Sequence, residues 1–167
     1  MFDLREETEN DWWEVEALYD LCFAPGREAL SSYRLRNGVP KVAPLCLVAR
    51  NSESGGAVGG AIRYWPVRIS GHVALLLGPV AVHPTHQGEG LGALLIAQSL
   101  NKAQLLGWER ALLVGDPPYY GRFGFTRLPD VTMPPPTNPD RVLGLELAQG
   151  AWADVRGDVV QDLPKGS

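Results

Sequence analysis

The chain is poor in cysteine and histidine. Only two cysteines, Cys22 and Cys46, and three histidines occur among its 167 residues. No cysteine–histidine group has the spacing of a metal site, so we expect no bound metal. Both cysteines stand apart in apolar segments, which predicts buried free thiols of a reducing compartment rather than a disulfide framework. Neither lies in an electropositive segment that would favour a reactive thiolate.

Clustered positive charge, a leader pattern and a membrane-spanning run are also missing. The formal net charge is −4, which is not the basic footprint of a nucleic-acid binder. The start, MFDLREETEND, is acidic where a secretory signal needs a basic and then an apolar stretch. The longest apolar run, 73–82, is broken by Gly78 and Pro79 and is too short to span a bilayer. We therefore expect a cytoplasmic protein that binds neither nucleic acid nor membrane.

The hydrophobic pattern predicts one domain of mixed α+β type around a single central sheet. A length of 167 residues allows a substantial core. The strand–helix–strand unit over 73–114 requires a parallel strand pair. Apolar runs predict strands at 2–5, 45–50, 57–69, 73–82, 110–114 and 141–147. Helical spacing and turn residues predict helices at 12–23, 27–36, 91–106 and 119–123.

Residues 77–92, LGPVAVHPTHQGEGLG, form the most informative segment. An apolar strand runs into a His-Pro turn, a glycine-rich hinge and the start of a helix. Backbone N–H groups at a helix start lack intrahelical partners, and glycines let a phosphate approach them. A Walker-type loop is excluded because no lysine lies near, and the glycine spacing G-x-G-x-G does not fit a dinucleotide fingerprint. The remaining pattern, Q-x-x-G-x-G, predicts a phosphorylated cofactor, or a glycine-rich turn without a ligand.

At this hinge the chain resembles the GNAT superfamily of N-acetyltransferases, in which the corresponding loop binds the pyrophosphate of acetyl-CoA. The resemblance implies the acyl-CoA N-acyltransferase fold, with a central, mostly antiparallel twisted sheet of about seven strands and helices on both faces. It implies acetyl-CoA as co-substrate, and two splayed strands whose free amides hold pantetheine and polarise the thioester carbonyl. The cofactor-binding residues it implies are Val80, Ala81, Val82, Gln87, Gly88, Glu89, Gly90, Leu91 and Gly92.

A second motif, 119–125, reads YYGRFGF and is similar to the family's C-terminal signature. In that signature a tyrosine precedes a glycine by four residues, as Tyr120 precedes Gly124. The resemblance implies that Tyr120 is the general acid that protonates the leaving CoA thiolate, a step suited to a phenol with a pKa of about 10. We expect Phe123 and Phe125 to fill the core, whereas Tyr119 fits either role equally.

The segments expected to bind the acceptor match the family pattern less well. Many family members have an asparagine after the preceding strand, but here none occurs between Val114 and Phe125. Asp116, at the carboxyl end of that strand, is a candidate for binding a substrate ammonium or for acting as a base, and it can equally cap the next helix. Glu28, on the helix region that covers the acceptor in relatives, is a second candidate. A base acting through water is an alternative to both.

The resemblance implies direct transfer of an acetyl group from acetyl-CoA to a primary amine, which we expect to belong to a small molecule. The alternatives are acetylation of a protein N-terminus or lysine, and a non-catalytic acyl-CoA-binding module. The expected single domain is 1–167, with the cofactor-binding core at about 45–125. Acceptor-site elements are expected at about 1–44 and 129–167, and relatives often form homodimers.

Overall fold

The computed structural model describes residues 1–23 and 31–163. Among these residues no helix is long and apolar enough to cross a membrane. The helices are α1 (Trp12–Cys22), α2 (Ser31–Arg34), α3 (Leu91–Leu105) and α4 (Pro117–Gly121). The strands are β1 (Phe2–Glu6), β2 (Leu47–Asn51), β3 (Ala57–Ile69), β4 (His72–Val82), β5 (Arg110–Val114), β6 (Thr126–Arg127), β7 (Val131–Thr132), β8 (Val142–Glu146) and β9 (Gly157–Gln161).

One open, mixed sheet organises the fold. Seven strands follow the order β1-β2-β3-β4-β5-β8-β6, and β9 pairs with both β3 and β7. The β4–β5 pair is parallel, as the strand–helix–strand pattern predicts, while the other neighbours along the seven-strand path are antiparallel. The predicted α+β class and sheet of about seven strands are therefore confirmed.

Helices α1 and α3 cover opposite faces of the sheet because each buries one apolar stripe. On one face, α3 buries Leu91, Leu95 and Leu100, and the buried Tyr64 hydroxyl and Ser99 Oγ lie 2.7 Å apart. On the other face, the side chains of α1 pack against β2, β3 and β4 through Val15, Leu18 and Tyr19. This arrangement leaves the edge of the sheet beyond the ends of β4 and β5 open between the two layers.

The structure differs from the sequence-based elements at several points. Strand β9 was not predicted, because its single buried residue, Val159, leaves no apolar run to detect. Helix α4 begins two residues earlier than expected, since Asp116 caps it and Pro117 occupies its first position. Trp12, an apolar residue at the start of α1, is 42% exposed. The second predicted helix is described only from Ser31, so residues 27–30 of that prediction lie outside the described range.

A β-bulge interrupts the pairing of β4 with β3 near the point where β4 stops pairing with β5. Ile62 pairs with Val80 but Tyr64 pairs with Leu77, so β4 carries one extra residue at the bulge. The Tyr19 hydroxyl donates a hydrogen bond of 3.0 Å to the Pro79 carbonyl within this bulge. Pairing of β4 with β5 is confined to Leu75 and Leu76. Past that point the two strands are no longer paired, and a gap opens in the sheet.

Candidate active site

The gap between β4 and β5 opens into a cavity of about 580 Å³. Its walls come from residues 76–80 of β4 and from residues 113–116 at the end of β5. The remaining lining residues are Phe23, Ser32, Tyr33, Tyr119, Tyr120 and Arg141. Residues far apart in sequence therefore meet where the parallel strand pair ends, which is the usual place for a binding site in such a sheet.

The second half of β4 directs backbone donors into this gap. His83 N–H donates to the Gly59 carbonyl at 2.8 Å, which fixes the alternation of hydrogen bonds between β3 and β4. By that alternation the amides of Val80 and Val82 face away from β3, toward the side where β5 has ceased to pair. Amides of this kind can bind an extended amide-containing chain as an added strand would. Ala81, between them, pairs with β3 and packs its side chain under α1.

The glycine hinge leads from β4 into α3. Gly88 and Gly90 adopt left-handed φ angles of 86° and 80°, which favour glycine. Gly90 is the N-cap residue of α3, and its carbonyl accepts the first helical hydrogen bond, from Leu94 N–H at 3.0 Å. The amides of residues 91–93 therefore have no acceptor within the helix and form a typical anion-binding surface. The Gln87 amide donates to the Val82 carbonyl at 3.3 Å and ties the hinge to β4.

Two histidines support the hinge through contacts with neighbouring residues. His83 Nδ1 accepts a hydrogen bond of 3.2 Å from Thr85 N–H and caps the short turn after β4. His86 Nδ1 lies 3.0 Å from the Glu89 carboxylate, and its ring packs edge to face on Phe2 with centroids 4.9 Å apart. The exposed Glu89 side chain is thus drawn toward His86.

Tyr120 is positioned by the cap of α4 and by a glycine. The Asp116 carboxylate accepts a hydrogen bond of 3.1 Å from Tyr119 N–H. Asp116 therefore caps α4, which is one of the roles that the sequence suggested for it. A Cβ atom on Gly115 would come within 2.4 Å of the Tyr120 ring, so glycine is required for the ring to pack there. The other side of the ring packs against Phe125, with centroids 6.0 Å apart. The half-buried Tyr120 therefore lies in one defined place on the cavity wall.

The surroundings of Tyr120 keep its phenol protonated. Burial raises the pKa of Tyr120 to about 12, with further upward contributions from Tyr119 and Asp116 and an opposing one from Arg141. Across the ordinary pH range the side chain is thus a neutral proton donor. Asp116 and Arg141 line the same cavity as Tyr120.

Tyr119 connects the second motif with the hinge. A Cβ atom on Gly92 would lie 3.4 Å from the Tyr119 hydroxyl and 3.4 Å from Val82 Cγ2. The start of α3, the end of β4 and the start of α4 therefore converge, which brings the two sequence motifs together. Phe125 is 3% exposed and Phe123 packs against the same core, so the expectation that both fill the core is confirmed.

Several cavity residues could not be found from sequence. Phe23, Tyr33 and Arg141 belong to segments without a recognisable motif, and strand pairing and helix packing alone bring them to the cavity. Glu28 lies outside the described residues, so its predicted acceptor role stays a prediction. Both cysteines are free, and burial raises the pKa of each thiol, that of Cys46 to about 11. Such thiols are poor nucleophiles near neutral pH.

Comparison with known proteins assigns the fold and site to a family. The family model described as "Acetyltransferase (GNAT) domain" matches residues 43–127, which include the splayed strands, the hinge and the tyrosine motif. The chain therefore belongs to the GNAT acetyltransferase family. It is an acetyl-CoA-dependent N-acetyltransferase, with acetyl-CoA as its co-substrate.

Individual relatives support this assignment over most of the chain. The uncharacterised N-acetyltransferase YhbS of Escherichia coli K12 is 32% identical over 124 residues, which cover 73% of this chain and 72% of YhbS. The crystal structure of E. coli YhbS in complex with CoA has a TM-score of 0.82 and 28% identity, covering 96% of this chain and 89% of that one. A GNAT acetyltransferase from Brucella melitensis in complex with acetyl-CoA has a TM-score of 0.73 and 28% identity, with coverages of 96% and 95%.

Gly92→Val is expected to weaken acetyl-CoA binding by about tenfold, a loss of roughly 1.4 kcal/mol. The added methyl groups would project between Val82 and Tyr119 and narrow the gap that the β4 amides face. Isothermal titration calorimetry measures the Kd. Ala97→Val, on the exposed side of α3, is the matched control for a β-branched residue in this helix. An unchanged Kd in Gly92→Val would show that the cofactor does not pass this point.

Proposed function

We propose that this acetyltransferase moves the acetyl group directly from acetyl-CoA to the primary amine of a small molecule, with Tyr120 as the general acid. The observation that carries the proposal is the place of Tyr120. Its phenol is kept protonated on the wall of the cavity into which the splayed β4 strand directs its amides. The acid, the backbone donors and the acceptor space are therefore adjacent.

In this proposal acetyl-CoA lies along β4. The pyrophosphate binds the hinge, where the amides of Gly88, Glu89, Leu91 and Gly92 are close to the helix start and Gln87 and Gly90 shape the turn. The pantetheine chain hydrogen-bonds to the amides of Val80 and Val82, while Ala81 maintains the pairing with β3. The thioester then lies near the bulge, beside Tyr120.

The reaction balances with one acid and one proton acceptor. The neutral amine nitrogen attacks the thioester carbonyl carbon, and a backbone N–H of β4 stabilises the oxyanion of the tetrahedral intermediate. The carbon–sulfur bond then breaks, and the Tyr120 phenol gives its proton to the leaving thiolate. The amine proton is released to water, and Tyr120 takes a proton back from water before the next turnover. Asp116 and Glu28 are proposed to attract the ammonium form of the acceptor, which loses a separate proton to water before the attack.

The size of the cavity favours a small acceptor. A volume of about 580 Å³ is within the range of small-molecule sites, and it must hold the end of pantetheine as well as the amine. The acceptor is therefore a compact molecule in this proposal. Acetylation of a protein N-terminus or lysine is the second candidate, since a single extended residue can also enter such a cavity.

A CoA-release screen tests the proposal. Purified protein is incubated with acetyl-CoA and with small primary amines, peptides that have a free N-terminus, or peptides that have an internal lysine. Turnover with the small amines alone is the expected result. Faster turnover with either peptide class would replace the small-molecule acceptor by a protein. Acetyl-CoA binding without CoA release in any arm would favour a non-catalytic acyl-CoA-binding module.

A further inference from the structure

Arg141 is the cation on the wall of the candidate acceptor cavity, within the part of the chain that the structure describes. It lies just before β8, outside the segment that carries the two family-like motifs. Its Nε donates a hydrogen bond of 3.2 Å to the Gly115 carbonyl, while Gly115 N–H donates to the Arg141 carbonyl at 2.9 Å. The first bond holds the Nε end of the guanidinium, and the second holds the Arg141 backbone, against the end of β5.

The terminal guanidinium nitrogens of Arg141 have no acidic partner among residues 1–23 and 31–163. Arg63 and Arg127, by contrast, form ion pairs with Glu7 and Asp140. Arg122 instead stacks over the Tyr119 ring at 4.7 Å. Arg141 thus presents hydrogen-bond donors and a positive charge to the cavity, a suitable arrangement for a planar anionic group.

The strand register places Arg141 near the reacting atoms and away from the hinge. Leu76 pairs with Leu112, and past this pair Gly78 and Pro79 of the β4 bulge line the same cavity as Gly115. Arg141 is held directly beside Gly115, and its charge acts on the Tyr120 phenol. The hinge begins beyond Val82, about 10 Å farther along β4 at the usual strand rise. The guanidinium therefore faces the acceptor end of the cavity and not the proposed pyrophosphate position.

We propose that Arg141 selects acceptor amines that also carry an anionic oxygen group, a carboxylate or a phosphate, by binding that group with its terminal nitrogens. This inference rests on the proposed small-amine acceptor and narrows its chemistry. Asp116, on the same wall, supplies the opposite charge for the ammonium end. An acceptor with both charges is thus oriented with its amine toward the thioester and its anionic group toward Arg141.

Matched amine pairs test this selectivity by steady-state CoA release. β-Alanine is compared with propylamine, and O-phosphoethanolamine with ethanolamine. Within each pair, one amine carries the anionic group and the other lacks it. We expect kcat/KM to be at least about tenfold higher for the anionic member of one pair or both, and the pair that shows it identifies carboxylate or phosphate. Arg141→Gln is expected to lower kcat/KM for the anionic acceptor by about 10- to 100-fold and for the neutral partner by less than about twofold.

Two further variants separate recognition from a structural role. Arg141→Lys keeps the charge but loses the planar fork, so its kcat/KM for the anionic acceptor should fall between those of the wild type and Arg141→Gln. Arg127 is a nearby exposed arginine outside the cavity lining, so Arg127→Gln should leave kcat/KM unchanged for both members of each pair. The Kd for acetyl-CoA should be the same in all four proteins.

Three results would overturn the inference. If Arg141→Gln lowered kcat/KM equally for both members of a pair, the residue would have a general role in folding or cofactor binding. Equal or better wild-type turnover of the neutral amines would show that no anion is selected. In both cases the proposed acetyl transfer to small amines would still stand. An absence of CoA release with every amine would instead refute the small-amine acceptor itself, and the inference with it.

Discussion

Tyr120→Phe is expected to lower kcat by about 100-fold or more and to leave the Kd for acetyl-CoA unchanged, because general acid catalysis typically contributes 10²- to 10⁴-fold. The substitution removes only the hydroxyl, and the ring keeps its packing against Gly115 and Phe125. Single-turnover kinetics with a saturating amine measure the chemical step without the influence of product release.

The pH profile gives an independent readout of the same residue. Since burial raises the pKa of Tyr120 to about 12, its acid form persists well above the usual pKa of a phenol. The wild-type kcat should therefore show no alkaline decline from loss of this proton between about pH 7 and pH 10. An alkaline limb centred near pH 9 that disappears in Tyr120→Phe would contradict the raised pKa.

Tyr119→Phe is the matched control for the neighbouring phenol. Its hydroxyl faces the start of α3, so we expect a change in the Kd for acetyl-CoA but little change in kcat. If Tyr119→Phe lost turnover while Tyr120→Phe retained it, the general acid would have been assigned to the wrong tyrosine.

Arg63→Ala is expected to lower the free energy of unfolding by about 3–5 kcal/mol, because it leaves the buried Glu7 carboxylate without its main partner. The Arg63 side chain is 4% exposed and that of Glu7 is fully buried. Two hydrogen bonds of 2.9 Å join them, and Glu16 and Lys41 extend the network. These contacts hold the pKa of Arg63 above its usual value. Urea unfolding followed by circular dichroism measures the change.

Two controls test the physical reason. Arg68→Ala removes an arginine from the same strand whose side chain is 46% exposed, and its ion pair with Asp162 should contribute no more than about 1 kcal/mol. The double variant Glu7→Leu/Arg63→Met removes both buried charges and should recover much of the lost stability. A double variant as unstable as Arg63→Ala would indicate that packing, and not the unpaired charge, dominates the loss.

The Arg63 network also contacts the side chain that holds the β4 bulge in the candidate site. Arg63 lies on β3 between Ile62 and Tyr64, opposite the bulge of β4, and its guanidinium is 5.2 Å from the Tyr19 ring. Tyr19 in turn holds the Pro79 carbonyl. Glu7, the residue after β1, is thus connected through two side chains to the point where β4 leaves β5.

The parts of the site that consist of consecutive residues were predictable from sequence. The hinge pattern between Gln87 and Gly92 places a glycine turn after a strand, and the structure shows left-handed glycines at the start of α3. Helical spacing over 119–123 and the terminating Gly124 likewise predicted a short helix that carries Tyr120. Both depend on local backbone preferences, which neighbouring residues determine.

The acceptor side was not predictable because its residues come from distant segments. Arg141 faces the cavity only because β8 pairs with β5 and brings Gly115 beside it. Tyr33 and Phe23 reach the same cavity from the region of α1 and α2. No periodicity or motif in these segments indicates a shared site.

By itself, the sequence determined the α+β class, the parallel strand–helix–strand unit, the glycine hinge that starts α3 and the short helix that carries Tyr120. The tertiary structure alone decided where β4 and β5 separate, which amides face the gap, and which charges meet Tyr120. The reason is physical: a turn or a helix start depends on residues adjacent in the chain, whereas a cavity depends on strand register and packing between segments many residues apart.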